Sequence, residues 1–210
     1  MRRSAASATR PAASPRSKRQ AILEAAVEAF GENGYETTKW SDVAERVGIG
    51  QTALYHYFVS KAHCVFTIMR LQLTDDLDRL REIVEREEDP AKALAAAIDR
   101  SLRVDDHEVM RFRILVANIS LLATPRALPE EEQERRAARR SIQDVEQAWA
   151  DLLARGMDDG LFPRRNSRQL AVAVLGLITS VWRWYRPGVG LSTEEMAAFY
   201  RDCALRMVEC

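Results

Sequence analysis

SDVAERVGIGQTALYHYFVS, residues 41–60, decides the fold. It reads as a helix, a glycine turn and a second short helix. Ala44 and Gly48 stand four apart, Ile49 follows the turn, and Leu54 comes five residues later. Two helices crossing steeply need that arrangement: a small residue where they approach, a glycine for the left-handed turn, and two apolar plugs in the angle between them. The second helix, about residues 51–58, turns Gln51, Thr52, Tyr55, His56 and Tyr57 outward. Those side chains exchange hydrogen bonds and carry little charge. That suits the edges of base pairs and makes double-stranded DNA the first partner to consider.

On either side of this stretch, apolar residues recur at three and four, and nothing alternates with period two, so the spacing predicts an all-α chain. A first helix over residues 18–33 aligns Ile22, Leu23, Ala26, Val27 and Phe30, with Gly34 as its stop. A second covers 39 or 40 to 47, with Trp40 and Val43 turned to the first. Ser60 caps a long fourth helix to about residue 87, long enough at ~1.5 Å per residue to join a small N-terminal domain to a larger body. Five more follow over about 91–104, 105–122, 130–157, 168–185 and 192–208. The expected division is a tail over 1–16, a helix-turn-helix domain over 17–62, and a ligand-binding and dimerisation domain over 63–210.

Thirty-one basic and thirty-one acidic residues cancel. Their distribution is uneven. Residues 1–20 carry Arg2, Arg3, Arg10, Arg16, Lys18 and Arg19 and no acid, while the remaining 25 bases face all 31 acids. Two readings of the basic arm stay open: a phosphate-contacting extension or a disordered solubilising tail. Its composition also mimics a transit peptide, but Pro11 and Pro15 would interrupt the helix such a peptide needs. The longest apolar run, residues 170–178, falls far short of the ~20 residues that span a bilayer. Cys64, Cys203 and Cys210 are odd in number and lack metal-ribbon spacing. The expectation is a soluble cytoplasmic protein with no membrane partner and no cofactor.

The eighth helix is apolar on nearly all sides between Leu170 and Val181, so it must be covered all round. Ala173, Gly176 and Ser180 form a small-residue line that lets another helix come close. A two-fold homodimer is expected there, through Ala173, Gly176, Leu177, Ser180, Val181 and Trp184, with Met196, Phe199, Tyr200 and Cys203 of the ninth helix. A fully internal helix in a monomer is the alternative.

AILEAAVEAFGENGYETT, followed by SDVAERVGIGQTALYHYFVSK, resembles the DNA-binding region of the TetR family of bacterial transcriptional regulators, over about residues 18–65. The resemblance implies a nine-helix fold with a ligand-binding and dimerisation domain after the helix-turn-helix. It places Gln51, Thr52, Ala53, Tyr55, His56 and Tyr57 in the major groove or on its flanking phosphates, and Lys61 on a phosphate. Thr38, Lys39 and Ser41, at the opening of the second helix, join the DNA-facing set. Lys39 and Trp40 depart from the family's usual Ser/Thr and small aliphatic, which lets the cap shift to Thr38 and Trp40 wedge the domain. Near the end, V-W-R-W-Y-R-P-G is similar to a branch tied to fatty-acid, steroid and other acyl-CoA catabolism; an aromatic helix end at the dimer seam explains the same residues.

The resemblance implies a dimer with two reading helices ~34–36 Å apart, so a pseudo-palindromic operator. A hydrophobic or acyl-CoA-type effector would sit in an apolar cavity, with candidate lining Phe66, Met69, Met110, Arg113, Asn118, Trp149 and Trp182, and release the repressor from DNA. Two competing classes remain. An enzyme has only Asp105-Asp106-His107-Glu108 to stand on; adjacent helical residues diverge by ~100°, and acids suit a helix start, so no metal site is expected. The other is a DNA-binding protein indifferent to small molecules, against which the length of chain after the reading head argues, because a pure dimeriser could be far smaller.

Overall fold

The computed structural model describes residues 15–186 and 190–209. The expectations about the basic tail before Pro15, the final Pro-Gly of the V-W-R-W-Y-R-P-G stretch and Cys210 lie outside them. Among the described residues there are nine α-helices and no strand: α1 (Pro15–Asn33), α2 (Trp40–Val47), α3 (Gln51–Tyr57), α4 (Lys61–Arg86), α5 (Pro90–Leu102), α6 (Asp106–Asn118), α7 (Pro129–Asp158), α8 (Ser167–Trp184) and α9 (Thr193–Glu209). The all-α, nine-helix reading holds.

Side-chain caps set most boundaries. Ser60 Oγ accepts from the His63 amide at 2.9 Å, Asp89 from Ala91, and Asn166 from Gln169. Asp105 and Glu108 form a reciprocal capping box at the start of α6. The sixth helix stops earlier than its apolar spacing predicts. Asn118 turns its amide back to the Ile114 carbonyl, and the chain tightens into a 3-10 turn over Ile119–Ala123. Arginines take up the carbonyls this leaves: Arg126 bonds that of Leu121 and Arg135 that of Leu122.

Three helices make the head. Ile22, Ala26 and Phe30 of α1 are buried against Val43 and Ala44 of α2 and Leu54 of α3. Trp40 is the wedge, buried edge-on to Phe58 with ring centroids 6.4 Å apart. Arg19 closes the other face of Phe58 from 4.6 Å. Arg46 of α2 is ion-paired to Glu32 of α1.

The body is built around α4, which packs most extensively on α7. Two polar ties hold that seam. Ser60 Oγ donates to Glu131 Oε2 at 2.7 Å, and Arg70 reaches Glu134 at 2.6 Å. Glu131 is only 7% exposed; Arg126, 3.4 Å away, neutralises it while lying 5.3 Å above the Phe66 ring. No helix among the described residues is long and apolar enough to cross a membrane.

Close packing at the C-terminal end of α7 depends on Gly156. A Cβ there would lie 2.2 Å from the buried Phe162 ring. Gly156→Ala should therefore cost about 1–3 kcal/mol in urea denaturation, as overpacked cores do, despite alanine's better helix propensity. An unchanged or raised midpoint would contradict this packing.

Candidate nucleic-acid interface and effector cavity

Gly48 makes the turn between α2 and α3 at φ +67°, and its amide reaches the Ala44 and Glu45 carbonyls. Nothing lies within 4 Å of a Cβ built there, so the left-handed backbone is what demands glycine. With Leu54 and Phe58 fully buried, α3 exposes Gln51, Thr52, Tyr55 and His56 on one face. Tyr55 is 45% exposed, whereas Tyr57 and Ala53 are half-buried, and Tyr57 packs on the core. Ser41 and Lys39 are exposed beside this face; the Ser41 hydroxyl donates to Asp42.

Two of the expected DNA contacts are occupied elsewhere. Thr38 is buried, with its hydroxyl 2.7 Å from the Gly34 carbonyl and 3.0 Å from that of Ala29. It ties the turn to α1 and does not cap α2, whose N-cap is Lys39 with no side-chain bond. Lys61 directs its ammonium group at the carbonyls of Tyr35 (2.6 Å), Thr38 (3.0 Å) and Glu36 (3.3 Å), 4.4 Å from the Tyr35 ring centroid. An ammonium has three protons, and all three are engaged. In this geometry Lys61 is a clamp on the α1–α2 turn.

Within the body, an apolar cavity of about 80 Å³ opens among α4, α5, α6, α7 and α8. Trp149 and Trp182 line it as expected, together with Leu73, Leu80, Phe112 and Ile178. Its polar end is Asp76, Arg79, Arg100 and Ser101. Burial pushes the Asp76 carboxyl up to about 7, against the opposing effects of a hydrogen bond from Gln72 and of Arg79. Glu108 grips both cations, Arg79 at 2.5 Å and Arg100 at 3.1 Å. The acidic cluster at residues 105–108 is thus a helix cap and an arginine anchor; among the described residues no group of side chains could hold a metal.

The other expected lining residues lie elsewhere. Phe66 and Met69 are fully buried a turn or more closer to the head, Phe66 beneath Arg126. Met110 packs its sulfur on Gly31 of α1. Arg113 and Asn118 border a separate crevice of about 900 Å³ between α1 and the α6–α8 side of the body. The Asp76–Arg79–Leu80–Ile83 set, which sequence reading missed, does carry a signal: it keeps helical spacing on the α4 face toward the cavity.

On α8 and α9, Ala173, Gly176, Trp184 (48%) and Phe199 (62%) are exposed, and Leu177, Ser180, Tyr200 and Cys203 are half-buried. Val181 and Met196 are fully buried inside the chain and cannot face a partner. Both lie on the inner faces of their helices, where the chain's own core covers them.

With this geometry in hand, two family descriptions match: "Bacterial regulatory proteins, tetR family" over residues 22–68, and "Tetracyclin repressor-like, C-terminal domain" over residues 87–208. The chain belongs to the TetR family. Its HTH-type transcriptional repressor relative KstR2 from Rhodococcus jostii is 30% identical over 192 residues, spanning 90% of this chain and 89% of the relative. The structure of ketosteroid transcriptional regulator KstR2 of Mycobacterium tuberculosis superposes with a TM-score of 0.75 at 26% identity, covering 96% of this chain and all of that one. AibR, solved in complex with isovaleryl coenzyme A and operator DNA, shares the fold with a TM-score of 0.73 at 18% identity, over 91% of this chain and 98% of its own. As a TetR-family protein the chain is a helix-turn-helix transcriptional regulator, and its relatives are regulators rather than enzymes.

Whether the clamp is the whole role of Lys61 is testable. Lys61→Met should lower the stability of the folded chain by about 2 kcal/mol, through three lost charge-assisted hydrogen bonds, while the salt dependence of DNA affinity keeps its slope. A melting temperature that stays put, with the slope reduced by ~0.9 per protomer, would return Lys61 to the phosphates.

Proposed function

We propose that two copies of this chain pair through α8 and α9, grip a palindromic operator, and are displaced by an acyl-CoA or similarly amphiphilic effector. Gln51, Thr52, Tyr55 and His56 read base edges, with Tyr57 and Ala53 at the margin of that face and Lys39 and Ser41 beside it for phosphates. The exposed strip of Ala173, Gly176, Trp184 and Phe199 is the seam, its small residues allowing the two α8 helices to approach. Residues 17–62 act as the DNA-binding unit and 63–210 as the sensing and dimerising unit, in the cytoplasm.

The observation that carries this reading is that one helix serves both ends. The first turn of α4 follows directly on the reading head, and Leu73, Asp76, Leu80 and Ile83 further along line the cavity. At about 80 Å³ that cavity is far below the ~300–1,000 Å³ of drug-sized sites, so an acyl chain enters only if the surrounding helices spread. Spreading displaces α4 and shifts each reading helix out of register with its groove. The relatives add support: AibR was solved with isovaleryl coenzyme A and operator DNA, and KstR2 is a ketosteroid regulator.

The test is a mobility shift on genomic fragments selected for binding, with a panel of fatty-acyl and steroid CoA thioesters. For at least one thioester the apparent Kd should rise ~10-fold or more, which requires that ligand to prefer the unbound form by at least that factor. Unchanged affinity at saturating concentrations of every thioester would remove these ligands as effectors. An α8 variant, Gly176→Arg, should yield monomers in sedimentation and bind the palindrome weakly.

A further inference from the structure

The cavity among α4–α8 is apolar over most of its wall, but its polar groups have unused hydrogen-bonding capacity of a particular kind. Ser101 Oγ donates to the Ala97 carbonyl at 2.8 Å, and Thr179 Oγ1 to that of Leu175 at 2.7 Å. Each hydroxyl proton is spent on its own helix, so what these two residues offer a ligand is lone pairs. Asp76 adds to them. Among the described residues it accepts a hydrogen bond from Gln72 alone, on Oδ1 at 2.9 Å, with Arg79 3.8 Å from the same oxygen. Burial, the largest cause, raises its carboxyl to about 7, so above that pH it is an acceptor only.

Charge at this end is balanced. Arg79 and Arg100 share Glu108, at 2.5 Å and 3.1 Å, and Asp76 supplies a second carboxyl. A carboxylate brought here would meet the cations, but it would stand as a third negative group and donate nothing. Donors are present as well: the indole Nε1–H of Trp182, 1% exposed, has no acceptor among the described residues. A ligand suited to this wall must give a proton and also accept one. Of the common uncharged oxygen functions, ethers, ketones and esters only accept; a hydroxyl does both.

We propose that the cavity recognises a hydroxyl group on the apolar part of the effector, with Asp76 as the acceptor that selects it. This deepens the effector reading above, on which its regulatory meaning rests: the ligand is a hydroxylated chain or ring rather than a plain one. Selection comes from the cost of the mismatch. A buried acceptor that loses water and gains no donor is penalised, so a site built around one rejects the analogue that lacks the proton.

The experiment follows tryptophan fluorescence, since Trp149 and Trp182 line the cavity. The full chain is titrated at pH 8, where Asp76 is mostly ionised, with 1-pentanol, its isomer butyl methyl ether, and 2-pentanone. The three have the same number of heavy atoms, and only the alcohol donates. Wild type should bind the alcohol ~10-fold or more tighter than the ether or the ketone, the scale of one hydrogen bond to a charged partner. Asp76→Asn, which keeps an oxygen acceptor, should retain that preference. Asp76→Leu should lose it while still binding the ether. The proposal is overturned if wild type binds the ether or the ketone as tightly as the alcohol, if it binds none of the three, or if Asp76→Leu keeps the full preference. The wild-type comparison decides even where a variant folds poorly. The two readings fail separately. Alcohol preference in a chain that no CoA thioester releases from DNA keeps the site and sinks the effector role. Release by plain and hydroxylated thioesters at equal concentrations, without alcohol preference, does the reverse.

Discussion

A buried carboxylate holds the reading head to the body. Glu131, in the first turn of α7, accepts a hydrogen bond from Ser60, the residue that caps α4, and is neutralised by Arg126 from the preceding loop. Breaking such a buried group away from its partners costs about 3–5 kcal/mol, so the start of α4 is not free to move without α7. Arg70 and Glu134 repeat the tie about three turns further along α4 and about one turn further along α7. Lys61, in the turn after the cap, clamps the carbonyls of the α1–α2 turn and so fastens the head to the same point. The head is thus fastened at the start of α4, beside the packing of Met110 on α1, and whatever shifts α7 against α4 acts on the reading face.

That attachment gives the small cavity its consequence. Most of its wall is packed aliphatic and aromatic side chain, and a close-packed interior responds to an added group by moving elements rather than by compressing. The polar end is pre-balanced: Glu108 holds two arginines, and Asp76 titrates near neutrality because burial disfavours its charge. A ligand bringing one acceptor or one negative charge to that end meets cations already positioned. The coupling acts through differential affinity alone, since a ligand equally at home in both arrangements would leave the operator bound.

Much of the fold was legible in sequence because its determinants are local. Gly48 needs a positive φ, Leu54 and Phe58 recur at helical spacing, and Ser60, Asp89 and Asp105 are caps readable one residue at a time. The reading face followed from those anchors, since burying Leu54 and Phe58 leaves Gln51, Thr52, Tyr55 and His56 nowhere to go but outward. What was not legible depended on long-range partners. The carbonyl cage around Lys61 is made of backbone from another turn, which no side-chain pattern announces. Phe66 and Met69 share a sequence stripe with the cavity residues of α4, but the void sits further along the helix than they do. Val181 and Met196 are apolar residues on helices with apolar surroundings, and periodicity cannot say which apolar side belongs to the chain's own core. Glu131 and Arg135, charged yet buried, are invisible until the helices meet.

The central claim is that the reading heads take their positions from the body through α4. Pulsed electron spin resonance between the two protomers tests it most directly, with a spin label on Glu45→Cys in a chain whose Cys203 and Cys210 are replaced by serine. The account predicts one narrow inter-protomer distance in the free dimer, displaced by several ångströms when an acyl-CoA that releases the operator is added. The same narrow distance with and without that ligand would contradict it.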